Sequence, residues 1–374
     1  MGSTLNIGII GVGKISEQYF ASMPKLPGLT VVAVADLDMD RAREVAAAHE
    51  GVRALTVDEL IADPGVDAVL NLTIPAAHVE VGTRALRAGK HVFAEKPLGL
   101  NPEEAAPMLD LAESLGLRYG SAPDTVLGTG IQTARQTLDS GAIGEPFAAN
   151  VFWSAPGHER WHPAPAFYYQ PGGGPLLDMG PYYLTALVHL FGPVAGVSGL
   201  AVRSARPRTI ETGPAAGTPI EVGVDTHITA LLDHVGGVTS TVTVSFEVWK
   251  TRSPLFEVFG TAGTLAVPDP NHFSMPVEIA TSENDEWMTV PDAAGFIDAG
   301  RGVGLADLAE AIVEDRPHRA SGRLALHVLE VMDAILRSSA GRETITIEST
   351  TERPALVPLR DLAEGSPEGS ADER

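Results

Sequence analysis

Through the first 121 residues, short continuous apolar runs alternate with amphipathic stretches. The runs fall at 5–10, 30–35, 68–72, 91–94 and 117–120, and the stretches at 15–22, 39–49, 77–88 and 102–114 carry helical spacing. Continuous apolar strands separated by amphipathic helices indicate a parallel sheet covered on both faces. Crossovers between parallel strands are right-handed, so the pattern predicts a doubly wound sheet.

Beyond residue 122 the pattern changes. Helical spacing appears at 125–138, 176–190, 304–314 and 323–338. The segments 222–232 and 238–248 alternate instead, around a Gly236-Gly237 turn, which predicts an antiparallel hairpin with one buried face. This half reads as an α+β domain dominated by an antiparallel sheet. The expected organisation is a nucleotide-binding domain over 1–122, an α+β substrate domain over 123–360, and a Gly-, Ser- and Glu-rich flexible tail over 361–374.

Composition narrows the function classes. Of 374 residues, 26 are Lys or Arg and 48 are Asp or Glu, a net charge of −22 that would repel nucleic acid and anionic lipid. The absence of cysteine removes disulfides, thiol catalysis and zinc–thiolate sites together. No apolar run approaches the roughly 18 residues that span a bilayer. The N-terminus lacks a basic region before its apolar stretch, and Asn6 stands where myristoylation needs Ser or Thr. A cytoplasmic protein with no nucleic-acid or membrane partner is expected.

The first strand ends in Gly8-Ile9-Ile10-Gly11-Val12-Gly13-Lys14-Ile15-Ser16. Gly11 permits a tight turn, Gly13 admits a pyrophosphate to the helix N-terminus, and Ser16 is small enough for close helix–strand packing. Asp36 follows the second strand at the spacing of the dinucleotide fingerprint. A carboxylate there accepts hydrogen bonds from ribose hydroxyls and repels a 2′-phosphate, with no cation before Arg41, so NAD is favoured over NADP. Gly8 to Lys14 also approaches a phosphate-binding ATPase loop, but Ile15 occupies the position of the magnesium-binding hydroxyl.

His158-Glu159-Arg160-Trp161-His162 spells the zinc-protease motif, which works only on a helix. Pro156-Gly157 precede it, and Pro163 and Pro165 follow, so a regular helix is not expected and no metal site is assigned. The aromatic-rich loop that continues through Phe167, Tyr168 and Tyr169 reads either as the lining of a substrate mouth or as a surface loop packed on its own domain. The first reading makes His158, Trp161 and His162 substrate residues.

Two further segments carry a resemblance. One is Val69–Pro75 followed by His78 and by Gly89-Lys90-His91-Val92-Phe93-Ala94-Glu95-Lys96-Pro97. The other is Gly172-Gly173-Gly174-Pro175-Leu176-Leu177-Asp178-Met179-Gly180-Pro181-Tyr182-Tyr183. With the glycine loop, they resemble the glucose–fructose oxidoreductase / inositol dehydrogenase / rhizopine-catabolism family over nearly the whole chain. The resemblance implies a Rossmann domain, an open antiparallel sheet, and hydride transfer between NAD and a carbinol carbon of a sugar, glycoside or cyclitol. It implies cofactor contacts at Gly11, Gly13, Lys14, Ile15, Asp36, Thr73, Pro75, His78, Glu95 and Lys96. Lys96 matches the family's active-site lysine, preceding a proline usually reached through a cis bond, and Asp178 matches its substrate-binding aspartate. Many members carry His four residues after that aspartate. This chain has Tyr182, as in the branch containing glucose–fructose oxidoreductase and dihydrodiol dehydrogenase. The segment Ser121-Ala122-Pro123-Asp124-Thr125 departs from the family's usual sequence after the fifth strand, with Asp124 the residue expected on the substrate side. A homodimer or homotetramer is implied by the open sheet, whose free face family members usually bury.

Loss of hydride from a secondary alcohol must be matched by loss of the hydroxyl proton. Asp178 and Tyr182 lie four apart and share a helix face, with Pro181 tolerable if the helix starts near Asp178. Tyrosine titrates near about 10 and needs a neighbouring cation to act as a base. Tyr182 is therefore the expected proton acceptor, Lys96 its activator and a ligand of the hydroxyl, and Asp178 the group that orients the substrate. Two other readings stay open: a redox-neutral enzyme that recycles tightly bound NAD, and a non-catalytic NAD-binding regulator.

Overall fold

The computed structural model describes residues 4–361. Its first half follows β1 (Leu5–Ile10), α1 (Ser16–Ser22), β2 (Leu29–Ala35), α2 (Met39–Ala47), β3 (Arg53–Ala54), α3 (Val57–Ala62), β4 (Ala68–Asn71), α4 (His78–Arg87), β5 (His91–Ala94), α5 (Pro102–Ser114) and β6 (Tyr119–Ser121). These strands form one parallel sheet in the order β3-β2-β1-β4-β5-β6. The order reverses between β1 and β4, which opens a crevice at the carboxyl ends of the strands, where dinucleotides bind in this topology. Ile7, Ile9, Val34, Val69, Leu70 and Phe93 are fully buried, as both covered faces require.

The short β3–α3 unit is absent from the pattern read along the chain. β3 is only two residues long, and α3 is announced by a capping box in which Thr56 and Glu59 satisfy each other's backbone N–H groups.

The second half runs α6 (Thr129–Asp139), β7 (Pro146–Ser154), α7 (Gly174–Phe191), β8 (Val194–Val202), β9 (Arg208–Thr209), β10 (Pro219–Ile220), β11 (His227–His234), β12 (Thr239–Ser245), β13 (Phe256–Gly260), β14 (Gly263–Ala266), β15 (Val277–Thr281), β16 (Met288–Val290) and β17 (Phe296–Ile297). It ends with α8 (Val303–Val313), α9 (Gly322–Gly341), β18 (Ile345–Thr346) and β19 (Arg360–Asp361). The main sheet has nine strands, ordered β16-β15-β14-β13-β7-β12-β11-β8-β18, and every pair but β12–β7 is antiparallel. The expected hairpin is β11–β12, pairing His227 with Ser245 through Asp233 with Thr239. On β11, Ile228, Ala230 and Leu232 face the helices, whereas Leu231 is exposed on the outer face.

Two expectations need correction. Helix α7 begins at Gly174, with Pro175 rather than Pro181 in its first turn, so Pro181 lies inside the helix. Pro175 takes the position that needs no N–H, and Pro181 then withholds a donor from the carbonyl of Leu177. Asp361, expected in the flexible tail, instead pairs with Ile297 in a short strand. The remaining tail residues, 362–374, lie outside the described residues.

Candidate active site

The glycine loop follows β1 into α1. Gly11 has φ +92, and a Cβ there would sit 2.7 Å from the carbonyl oxygen of Leu72, so only glycine fits the turn. A Cβ on Gly13 would meet nothing within 4 Å, which leaves open space over the loop beside the start of α1. Asp36 accepts hydrogen bonds from Val12 N and Asp38 N, each 2.9 Å long, and so braces the loop against the end of β2. Arg41 approaches Asp36 to 3.8 Å and Asp38 to 3.5 Å, so the nearest cation is shared between two carboxylates. Lys14 is exposed and paired with Glu17, and Ile15 is half-buried at the mouth of α1. Thr73 and Pro75 form the rim beyond β4, with Thr73 Oγ1 donating to Asn71 at 2.6 Å.

His78 is not on that rim. Its ring is fully buried, with Nδ1 2.7 Å from the carbonyl of Pro97 and Nε2 3.0 Å from that of Thr73. Burial pushes the imidazole below its ordinary value. A neutral ring has one N–H, so only one contact can be a hydrogen bond. His78 joins the two segments from within the core, with both ring nitrogens facing backbone carbonyls.

Lys96 follows β5, and the Lys96–Pro97 bond is cis. Its Nζ donates to Asp178 Oδ1 at 3.0 Å and to the Asp178 carbonyl at 2.6 Å. That carbonyl lies three residues before Pro181, beside the stretch of α7 whose internal bonding the proline interrupts. The second Asp178 oxygen accepts from His158 Nε2 at 2.9 Å. Burial alone would raise the Asp178 carboxyl, but the Lys96 charge and the His158 contact hold it down, at about 2. Lys96 is displaced upward: burial opposes its charge, and Asp178, Tyr182 and Glu95 outweigh burial. Trp161 Nε1 reaches His158 Nδ1 at 3.3 Å. An indole can only donate, so His158 carries its proton on Nε2 and is a second donor to Asp178.

Tyr182 lies one turn after Asp178, and its direct partner differs from the expected one. Lys96 Nζ stands over the ring, 5.0 Å from its centroid. The group bonded to the hydroxyl is Arg301, at 3.0 Å. Arg301 also lies 3.9 Å from Glu95 and 3.8 Å from Asp124. Glu95 is buried, accepting from Tyr19 Oη at 2.8 Å and from its neighbour Lys96 N at 3.1 Å. Burial would raise its carboxyl, but the charges of Arg301 and Lys96 lower it.

Asp124 is no substrate residue in this arrangement. It is fully buried, and its Oδ2 accepts from Gly302 N at 2.8 Å and Gly304 N at 3.1 Å, capping α8 from a distance. Burial raises its carboxyl above the ordinary value.

The histidine pair is not helical: His158–Arg160 is a single tight turn. His158 turns inward to Asp178, while Glu159 turns away to Arg208 at 2.8 Å. His162 stays at the surface against Trp161, Phe167 and Tyr168. Trp161 and Phe167 are exposed, 59% and 57%, and form an aromatic rim above His158. Among the described residues no group of three His, Cys, Asp or Glu could hold a metal.

Arg301 and Tyr19 are the site residues that sequence reasoning missed. Arg301 stands in an unremarkable Gly-Arg-Gly, and its contact with Tyr182 spans 119 residues.

Known proteins share this sequence pattern and fold. Residues 5–122 match the oxidoreductase family, NAD-binding Rossmann fold, and residues 131–266 match the GFO/IDH/MocA C-terminal domain. The chain is 30% identical to trans-1,2-dihydrobenzene-1,2-diol dehydrogenase of Bos taurus over 294 residues, 78% of this chain and 82% of that one. It is 31% identical to an oxidoreductase of Rhizobium meliloti, ORF334, over 71% of this chain and 75% of that one. Among solved structures, an NAD binding oxidoreductase from Klebsiella pneumoniae superposes with TM-score 0.79 at 26% identity, over 92% of this chain and 99% of that one. Levoglucosan dehydrogenase in complex with NADH and L-sorbose shares the fold, with TM-score 0.79 at 21% identity over 93% of this chain and all of that one.

The chain belongs to the GFO/IDH/MocA oxidoreductase family. It is an NAD-binding oxidoreductase, and the open, glycine-lined loop backed by Asp36 fits that cofactor. No helix among the described residues is long and apolar enough to cross a membrane.

Proposed function

We propose that the protein oxidises a secondary hydroxyl of a sugar, glycoside or cyclitol, with NAD as the hydride acceptor. The observation that carries this reading is the meeting of Lys96, from the end of β5, with Asp178, Tyr182 and His158 beside the nucleotide crevice. The names of two similar proteins support it: one acts on a ring diol, and the other was crystallised with a sugar.

Gly11, Gly13, Lys14, Ile15 and Asp36 would hold the dinucleotide, with Thr73, Pro75 and Glu95 along its path. Bound NAD supplies an acceptor for the hydride. The protein's own residues manage the hydroxyl. Lys96 donates to its oxygen, and ionised Asp178, fixed by Lys96 and His158, accepts from a neighbouring hydroxyl. Tyr182 takes the proton, with Arg301 and Lys96 as flanking cations. Trp161, His162 and Phe167 offer flat faces for a sugar ring at the mouth.

Phe147, Leu200, Val202 and Leu231 are exposed along the main sheet. We assign this face to a homodimer or homotetramer contact, and the protein to the cytoplasm.

The test is nicotinamide absorbance on mixing the purified protein with free NAD and a panel of sugars, glycosides and cyclitols. Multiple turnovers are expected. A change limited to one equivalent would mean that NAD is retained and recycled. Intact NAD binding with no redox change across the panel would overturn the proposal.

A further inference from the structure

Arg301 is the one guanidinium bonded to the hydroxyl of Tyr182 among the described residues, and several segments hold it in place. The turn that carries it sits on the end of α1, where Ser22 Oγ donates to the Arg301 carbonyl. Gly302, in the left-handed region at φ +98, turns the chain into α8 and gives its N–H to Asp124. Glu95, itself held by Tyr19, faces the guanidinium from the nucleotide-binding half. The side chain is buried, so little room is left for another rotamer.

This placement constrains the proton of Tyr182. A guanidinium has donors and no acceptor. The phenol oxygen therefore accepts from Arg301, and the phenol's own proton must point elsewhere. No acceptor for it is present among the described residues. We infer that Arg301 is a positioning residue that commits one lone pair of the Tyr182 oxygen and directs the hydroxyl proton toward the substrate. The inference rests on the proposed role of Tyr182.

Both directions of the reaction then use a single proton position. Oxidation starts from the Tyr182 phenolate, with that position empty: the substrate O–H bond breaks and its proton passes to the phenolate oxygen, which becomes the phenol. The electron pair of the C–H bond leaves as hydride to oxidised nicotinamide, and a C=O bond forms. In reduction, the same phenol proton returns to the carbonyl oxygen. Arg301 keeps its bond throughout. Lys96 is left free to serve Asp178 and the substrate, which separates two tasks that the sequence alone assigned to one lysine.

The test compares Arg301→Ala, Arg301→Lys and Arg301→Gln in the full-length protein labelled with 13Cζ-tyrosine. The Tyr182 resonance is identified by its loss in Tyr182→Phe. In Arg301→Ala that resonance should move and NAD binding should persist. The kcat should fall about 10²-fold, a typical penalty for a misplaced reacting group, with a smaller change in KM. Added guanidinium at sub-denaturing concentration should recover part of the loss, and Arg301→Lys should retain more activity than Arg301→Gln. An unmoved Tyr182 resonance with unchanged kcat overturns the inference. A loss common to all three variants, unrelieved by guanidinium and accompanied by lost NAD binding, assigns Arg301 a purely structural role and also overturns it. The resonance reads the contact without turnover. If no panel compound reacts but the resonance moves, the substrate proposal fails while the Arg301–Tyr182 contact stands.

Discussion

The two halves of this protein make their sites in opposite ways. The nucleotide loop is local: Gly11, Gly13 and Asp36 lie within one βαβ unit, and Asp36 bonds back to Val12. The proposed hydroxyl site is assembled from afar. Lys96 comes from the first half, His158 from a loop, Asp178 and Tyr182 from α7, and Arg301 from the turn before α8. A local site survives on backbone geometry, whereas an assembled site depends on each long-range contact holding its partner.

The largest test of this contrast is the chemical step. Tyr182→Phe removes one oxygen, and turnover should drop about 10²–10⁴-fold with NAD affinity kept. Lys96→Ala should be at least as damaging. The double variant should fall no further than the worse single one, because the two groups act as a unit. Steady-state kinetics beside NAD titration would show it, and full additivity would mean that the residues work independently.

A smaller effect concerns the tie between the halves. Asp178 titrates at about 2 in the folded protein against about 3.9 when unfolded. Its stabilisation is therefore present above about pH 4 and is lost as pH falls through about 2. Denaturant midpoints across that window should decline, and Asp178→Asn should flatten the decline by about 2 kcal/mol.

Smaller still, Asp36→Ala should narrow the preference for NAD over NADP by about tenfold, chiefly by weakening NAD, since it also removes the brace on Val12. Equal affinity for both dinucleotides in the unaltered protein would contradict the role given to Asp36. The least effect is expected from chelators. His158 is committed to Asp178 and Glu159 to Arg208, so activity should be unchanged. Loss on chelation, restored by zinc, would reverse that reading.

What could be read along the chain follows the same division. Residues 5–10 and 102–114 are β1 and α5 with the expected bounds, because apolar periodicity and an Asn101 cap are local signals. The Asp178–Tyr182 spacing was legible for the same reason. The α3 capping box was also visible in Thr56 and Glu59, but a helix of one and a half turns leaves little periodicity. Pro181 misled because two prolines compete for one first turn, and only Pro175 occupies it. Asp124 reads as a polar residue after a strand, and nothing nearby shows that it caps a helix 178 residues later. Arg301 has no periodicity, spacing or motif to betray it.

The far edge of the parallel sheet shows how far the nucleotide-binding half is from being portable. β6 is sealed by the stretch entering α9: Ser121 N bonds to the carbonyl of Ala320, and Gly120 bridges to Ser321. Beside it, Gly304 in α8 lies so close that a Cβ would fall 2.7 Å from the ring of Phe93. A gene fragment ending at residue 122 would encode every nucleotide contact proposed above yet expose an unpaired strand edge and a bare phenylalanine. Grafting that fragment onto another domain would carry over the address for NAD and leave behind the cover that keeps it from aggregating.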